Sequence, residues 1–111
     1  MVARLLKGKG VYQYFEAAKM VKVLHPQVSI QILGPLDSSP GGLNGDSFQA
    51  LVRQGNVEYL GEALDVRPFL NACHVFVLPS FYREGLPRSI LEAMSIGRPV
   101  LTTNAVGCKE T

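Results

Sequence analysis

Glu84 and Glu92 stand eight positions apart in the stretch Pro79 to Glu110, with Gly85 and Pro87 between them. A glycine followed by a proline in that order opens a helix, because proline at the first helical position gives up an N–H that would be unpaired anyway. The spacing therefore predicts Pro87 at the first position of a helix that runs to about Ile96. Gly97 closes it at C′ and Pro99 prevents its continuation. A helix N-terminus presents backbone N–H groups and the positive end of a dipole, and so attracts phosphate. Carboxylates on either side of such an anion site can accept hydrogen bonds from sugar hydroxyls. A nucleotide sugar carries both a diphosphate and hydroxyls. The plainer reading is a solvated helix start, since acidic residues favour the first turn whatever the function.

These residues need elements to hold them. Val75 to Leu78 is a short apolar run, as expected of a buried parallel strand, and Pro79-Ser80 ends it. Ile90, Leu91 and Met94 would form the apolar face of the following helix. Glu92, about one and a half turns in, is close enough to the N-terminal end to reach the same cleft as Glu84. In open α/β sheets, ligands bind in the crevice outside the carboxyl ends of the strands.

The amino-terminal end repeats the strand, loop and helix order. Met1 to Leu6 reads as a strand, Lys7-Gly8-Lys9-Gly10 as a loop, and Val11 to Leu24 as an amphipathic helix. Its expected apolar stripe is Val11, Phe15, Ala18 and Val21, with Gln13, Glu16, Lys19 and Lys22 turned outward. Residues 1–25 carry a net charge of +4 and the remaining chain −2, so the basic character is concentrated where an anion would be held. A solvated basic loop is the bland alternative. A dinucleotide fingerprint is a third reading of Gly8-x-Gly10, but Gln13 occupies the place of its third glycine. No acidic residue ends the second strand, Val28 to Leu33.

Further along, Leu36 to Gly45 reads as an exposed Gly/Ser/Pro-rich loop, and Asp46 as the start of a short helix through Arg53. Asn56 to Leu60 reads as a strand, Asp65 to Ala72 as a helix, and Val100 to Thr103 as a last strand. About five strands alternating with four helical connections predict an α/β domain with a Rossmann-like, doubly wound parallel sheet.

Composition excludes several classes. A chain of 111 residues with 47% hydrophobic content is one ordinary globular domain. No apolar run approaches the ~18 residues that span a bilayer, and no signal peptide is visible. A net charge of +2 without basic–aromatic interleaving argues against nucleic acid. Cys73 and Cys108 fit a reduced compartment, and neither they nor His25 and His74 have metal-site spacing. There is no Asp-x-Asp pair for a divalent ion, so metal-independent chemistry without a cofactor is expected.

The order Pro79-Ser80, Glu84-Gly85-Leu86-Pro87, Leu91-Glu92-Ala93-Met94, Gly97-x-Pro99-Val100 and Gly107-Cys108-x-Glu110 resembles the donor-binding half of family 4 glycosyltransferases, enzymes of the two-domain GT-B fold. The resemblance covers nearly the whole chain. It implies that Glu84 approaches the donor sugar, that Glu92 holds the ribose hydroxyls, and that backbone N–H groups around Gly85, Leu86 and Ser89 face the diphosphate. It also implies that Arg4 and Lys9 grip that diphosphate, where cations would stabilise the charge on the departing group. Tyr59 to Glu62 would lie near the base.

By the same resemblance the reaction is a retaining transfer of a hexosyl or N-acetylhexosaminyl group from a UDP-sugar. The acceptor would be a polysaccharide or a polyprenyl-diphosphate-linked saccharide in bacterial capsule or lipid-linked oligosaccharide synthesis. Tyr82 to Ser89 is closest to the subgroup that points to an N-acetylated hexosamine donor. The implied setting is cytoplasmic, with the full-length protein at the inner face of the membrane. Residues 1–111 are expected to be a donor domain truncated at both ends, with Met1 an internal methionine and the fragment inactive alone. The other reading is a non-catalytic nucleotide-binding or vestigial Rossmann-like module.

Overall fold

The structure is a computed structural model and describes residues 1–43, 45–83 and 85–111. Among the described residues, four α-helices alternate with four short strands: α1 (Val11–Leu24), β1 (Gln31–Ile32), α2 (Gly45–Gly55), β2 (Glu58–Tyr59), α3 (Arg67–Ala72), β3 (Phe76–Leu78), α4 (Arg88–Ser95) and β4 (Val100–Thr102). Both strand pairings are parallel. Gln31 lies opposite Glu58 and Ile32 opposite Tyr59, while Phe76, Val77 and Leu78 lie opposite Val100, Leu101 and Thr102. Each pair is closed by a helical crossover, as parallel strands require: α2 joins β1 to β2, and α4 joins β3 to β4.

The expected five strands in one sheet are not what the described residues form. They make two two-stranded sheets, and the amino-terminal segment joins β1 only through isolated bridges, Val2 to Leu33 and Leu5 to Leu36. The segment does run parallel beside β1, with Ala3 N–H donating to the Leu33 carbonyl at 3.0 Å and Leu33 N–H to the Met1 carbonyl at 2.9 Å. The ladder breaks because Leu6 N–H turns back to the Arg4 carbonyl at 2.8 Å, and because Pro35 has no N–H to give.

Helix α1 follows a 3-10 turn at Lys7–Lys9, with Gly10 in the left-handed region at φ 81°. It ends where Pro26 forces His25 out of helical geometry, His25 N–H still reaching the Val21 carbonyl at 2.7 Å. Its buried face is Val11, Tyr14, Phe15 and Ala18; Val21, expected in that stripe, is 36% exposed. Tyr14, not expected in the stripe, is buried because the phenol can satisfy its hydroxyl on the Gln31 carbonyl at 2.7 Å. Phe15 then meets Phe48 of α2 edge to face at 5.9 Å, and Phe48 meets Tyr59 of β2 at 4.7 Å. This row of rings welds α1 and α2 to the β1–β2 pair.

Helix α4 differs from expectation in two details. Pro87 is its N-cap residue, with φ −64° and ψ 121°, one position earlier than the first helical residue. Its ring fixes φ, and its extended ψ leaves Arg88 to begin the helix. The buried face is Ile90 and Ala93, with Leu91 and Met94 half exposed, because the helix rests on β3 and β4 along a narrower stripe than expected. Gly97 adopts φ 80° at C′ as the sequence suggests, its N–H on the Met94 carbonyl at 2.9 Å. A single core cluster that includes Leu5, Phe15, Ile32, Phe48, Leu70, Phe76 and Ile90 runs through both strand pairs.

Candidate functional site

A cleft of about 550 Å³ opens at the carboxyl ends of the strands. Arg4 at the end of the amino-terminal segment and Lys9 in the loop before α1 line one side. Gly85 and Leu86 in the loop before α4, with Ser89 and Glu92 in α4, line the other. The cleft thus gathers Arg4, Lys9, Gly85, Leu86, Ser89 and Glu92, the described residues expected at the diphosphate and the ribose, but not the segment expected near the base. Glu84 lies outside the described residues.

Local sequence explains the placement. The first turn of α4 lines the cleft, and its N-cap residue, Pro87, has no side-chain group to cap it. Ile90 and Leu91 N–H groups return to the Pro87 carbonyl at 3.1 and 3.3 Å, which leaves the earlier amides of the turn at the cleft wall. Glu92 lies one turn further on, with Arg88 Nε 3.9 Å from its Oε1. Both side chains reach solvent, so this pair adds little stability and leaves the carboxylate accessible.

On the opposite wall the loop Lys7–Gly10 is pinned to the end of β3. Phe81 N–H donates to the Gly8 carbonyl at 3.0 Å, and the buried Ser80 hydroxyl lies 3.4 Å from the same oxygen. Lys9 Nζ stands 6.0 Å from the centre of the Tyr82 ring, at the outer limit of a cation–π contact. Lys9 and the 79–82 loop therefore share one rigid support.

Arg4 donates from Nη2 to Asp37 Oδ2 at 2.5 Å. Hydrogen bonds from the Ser39 side chain and backbone hold the Asp37 carboxyl below its usual range; burial opposes them, and Arg4 adds a lesser lowering. Sequence reasoning passed over Asp37 as part of an exposed loop. The signal was there: Asp-Ser-Ser-Pro is a turn in which an aspartate accepts from its own backbone two residues on, and Ser39 N–H does donate to Asp37 Oδ1 at 2.8 Å. Arg88 was also missed, although it lines the cleft as the first residue of α4.

The segment Tyr59 to Glu62 does not line the cleft; Ala63 and Val66 do, opposite Gly34 and Pro35. Tyr59 is half-buried against the core, its hydroxyl on the Gly34 carbonyl at 2.7 Å, and burial raises its pKa, with Glu62 adding to the shift. A second cavity, about 750 Å³, lies at the amino ends of the strands among Tyr14, Ala18, Val28, Leu70 and Phe76. Among the described residues, no Asp, Glu, Lys or Arg side chain lines it; its polar groups include those of Gln27, Ser29, Gln31, Cys73, His74 and the Met1 amine. Among the described residues, no three His, Cys, Asp or Glu side chains are grouped to hold a metal, and no helix is long and apolar enough to cross a membrane.

Comparison with known proteins adds an independent line. The family profile described as "Glycosyl transferases group 1" matches residues 1–111. The chain is 36% identical over 110 residues to the N,N'-diacetylbacillosaminyl-diphospho-undecaprenol alpha-1,3-N-acetylgalactosaminyltransferase of Campylobacter jejuni, covering 99% of this chain and 27% of that protein. It is 28% identical to the capsular polysaccharide biosynthesis glycosyltransferase CapM of Staphylococcus aureus, over 99% of this chain and 28% of CapM. It is 35% identical to the UDP-Gal:alpha-D-GlcNAc-diphosphoundecaprenol alpha-1,3-galactosyltransferase of Escherichia coli, over 96% of this chain and 28% of that enzyme. Among solved structures, Anabaena HepE in complex with UDP superposes with a TM-score of 0.79 at 25% identity, over 98% of this chain and 30% of HepE. TarM, at 23% identity and a TM-score of 0.80 over 95% of this chain and 20% of TarM, shares the fold. The chain thus spans just over a quarter of the length of these curated relatives.

Proposed function

We propose, since the chain belongs to the glycosyl transferases group 1 family, that it binds the nucleotide-sugar donor of a GT-B glycosyltransferase through the cleft at the carboxyl ends of its strands. The observation that carries this reading is the meeting of Arg4, Lys9, the uncapped start of α4 and Glu92 around one 550 Å³ space. That volume is ordinary for a small-molecule site. Two cations and a helix N-terminus suit a diphosphate, and a carboxylate one turn away suits the hydroxyls of a ribose.

The donor in this reading is a UDP-sugar, and the transfer retains anomeric configuration. Arg4 and Lys9 neutralise the charge on the diphosphate as it leaves. Glu92 accepts hydrogen bonds from the ribose, each contributing about 1.5–3 kcal/mol because the acceptor is charged. Glu84 orients the sugar. The names of the Campylobacter jejuni and Escherichia coli relatives favour a saccharide on a polyprenyl diphosphate as acceptor, and a hexosyl or N-acetylhexosaminyl group as cargo. The acceptor would be recognised largely by sequence beyond the quarter of those proteins that this chain matches, and the 111 residues alone would not catalyse transfer. An acceptor of that kind would bring the protein to the cytoplasmic face of a membrane as a peripheral partner.

The test is a titration of the 111-residue chain with UDP, followed by amide chemical shifts, with NAD as a control. Shifts gathered at Arg4–Gly10 and at Gly85–Glu92 with UDP alone are expected. A folded chain with no response to UDP would remove the donor-site reading and leave the non-catalytic module.

A further inference from the structure

Asp37 does not line the cleft itself but is bound to Arg4, which does, and the donor reading does not require its placement. Its side chain is only 8% exposed, in a loop whose Gly, Ser and Pro content suits open solvent. Both carboxylate oxygens are occupied. Oδ1 accepts the Ser39 N–H at 2.8 Å and the Ser39 hydroxyl, and Oδ2 accepts Arg4 Nη2 at 2.5 Å. The loop is also tied to the strand end that carries Arg4. Leu5 N–H donates to the Pro35 carbonyl at 3.1 Å, Lys7 N–H to the Gly41 carbonyl at 2.7 Å, and Leu43 N–H to the Leu5 carbonyl at 3.1 Å. The closure is tight, since a Cβ on Gly42 would stand 1.9 Å from the Asp37 carbonyl oxygen. Asp37 is therefore fixed relative to Arg4 by backbone, and braced by Ser39.

We propose that Asp37 is a positioning residue for Arg4 at the diphosphate end of the cleft. Arg4 lines the cleft with its side chain 65% exposed, so without a partner the guanidinium would sample many rotamers and lose that freedom when it meets an anion. Asp37 takes one of its nitrogens and orders the group before the donor arrives. Its negative charge works against an incoming phosphate, but the two Ser39 hydrogen bonds spread that charge. Lys9 and the α4 N-terminus keep the cleft a site for anions. The net effect is tighter binding of the diphosphate with no effect on the nucleoside. The inference rests on the donor reading of the same cleft.

The experiment is calorimetry of UDP and of uridine against the 111-residue chain and its variants Asp37→Asn, Arg4→Ala and the double variant. Asp37→Asn keeps an oxygen for Ser39 and nearly the same shape, and removes only the charge that holds Arg4. It is expected to weaken UDP about tenfold and leave uridine unchanged, and to cause no further loss once Arg4 is Ala. Unchanged or tighter UDP binding in Asp37→Asn would overturn the proposal. So would an equal loss for uridine, or a loss of the same size in the Arg4→Ala background, which would mark a structural role. Should Asp37→Asn fail to fold, Ser39→Ala decides: it loosens the brace on Oδ1, and a loss confined to UDP supports positioning, whereas none refutes it. A wild-type chain that ignores UDP brings down the donor reading and this inference together. A wild type that binds beside an unaffected Asp37→Asn brings down this inference alone.

Discussion

Gly10 and Pro79 touch backbone to backbone: a Cβ built on Gly10 would stand 2.1 Å from the Pro79 carbonyl oxygen. This contact seats the loop carrying Lys9 against the end of β3, and it puts Gly10 at φ 81°, where an L side chain is strained in any surroundings. The two halves of the cleft are joined here through main chain, so the distance from Lys9 to the α4 N-terminus is set by the fold and not by side-chain choice.

Gly10→Ala is accordingly expected to destabilise the chain by about 2–5 kcal/mol, the sum of left-handed strain and forced displacement of backbone. In a chain of this size that lowers Tm by roughly 10 °C or more. Gly8 makes an instructive contrast. A Cβ there would also come within 2.1 Å of a neighbour, but the neighbour is Tyr82 Cδ2, on a half-exposed ring that can swing away. Gly8→Ala should cost only about 1 kcal/mol. Thermal melts of the two variants check the pair, and similar Tm values would refute the backbone contact.

Lys9→Met tests the cation separately from its stem, which keeps its packing near Tyr82. UDP affinity is expected to fall about tenfold, and its dependence on salt to become shallower, while uridine affinity holds. Equal losses for UDP and uridine in a titration at two salt concentrations would place Lys9 away from the diphosphate.

Much of this site was legible in the sequence because glycines and prolines mark it. Gly10, Pro79, Pro87, Gly97 and Pro99 each allow only a few backbone conformations, and the boundaries of α1 and α4 fall within a residue or two of where they point. The helix faces were less legible, since periodicity cannot tell which of two adjacent apolar residues turns inward. Tyr14 is buried through a hydroxyl partner, Gln31, that lies 17 residues away and has no local signal, while Val21, two turns on along the same side, stays at the rim. The fifth strand was misread for a similar reason. Met1 to Leu6 has the composition of a strand, but Leu6 spends its N–H on Arg4, and the break depends on where the 41–43 loop returns. Asp37 went unnoticed because loops are read as solvated, and its Arg4 partner lies 33 residues back.

Glu92→Ala should reveal what the carboxylate reads. In the wild type, UDP should bind more tightly than its 2′-deoxy analogue, since a charged acceptor loses a hydroxyl partner in the analogue. In Glu92→Ala the two should bind alike, with UDP weakened about tenfold or more. The melting temperature should change little, because Glu92 reaches solvent and its contact with Arg88 is long. Persisting discrimination between the two nucleotides in the variant would assign ribose recognition elsewhere.

In the 111-residue chain with a free amino terminus, a buried pair at the amino ends of the strands makes stability depend on pH. The Met1 amine donates to the Tyr14 hydroxyl at 3.3 Å and to the Gln31 carbonyl at 3.0 Å. Burial lowers the pKa of that amine from 8.0 to about 5, with the nearby Cys73 opposing. Burial raises Tyr14 from 10.0 to about 12, the Gln31 carbonyl opposing and Cys73 adding to the shift. Between pH 5 and 8 the unfolded amine holds a proton that the folded one has lost, so stability should rise with pH across that window, by at most about 4 kcal/mol. Between pH 10 and 12 the unfolded phenol has ionised and the folded one has not, so stability should fall. Urea unfolding of the 111-residue chain from pH 5 to 8 measures the first limb, with an N-terminally acetylated chain as control, since acetylation removes the titrating amine and keeps an N–H donor. A slope present in the free chain and absent in the acetylated one is expected. Identical slopes in the two would mean that the amine is solvated, and that Tyr14 is held by Gln31 alone.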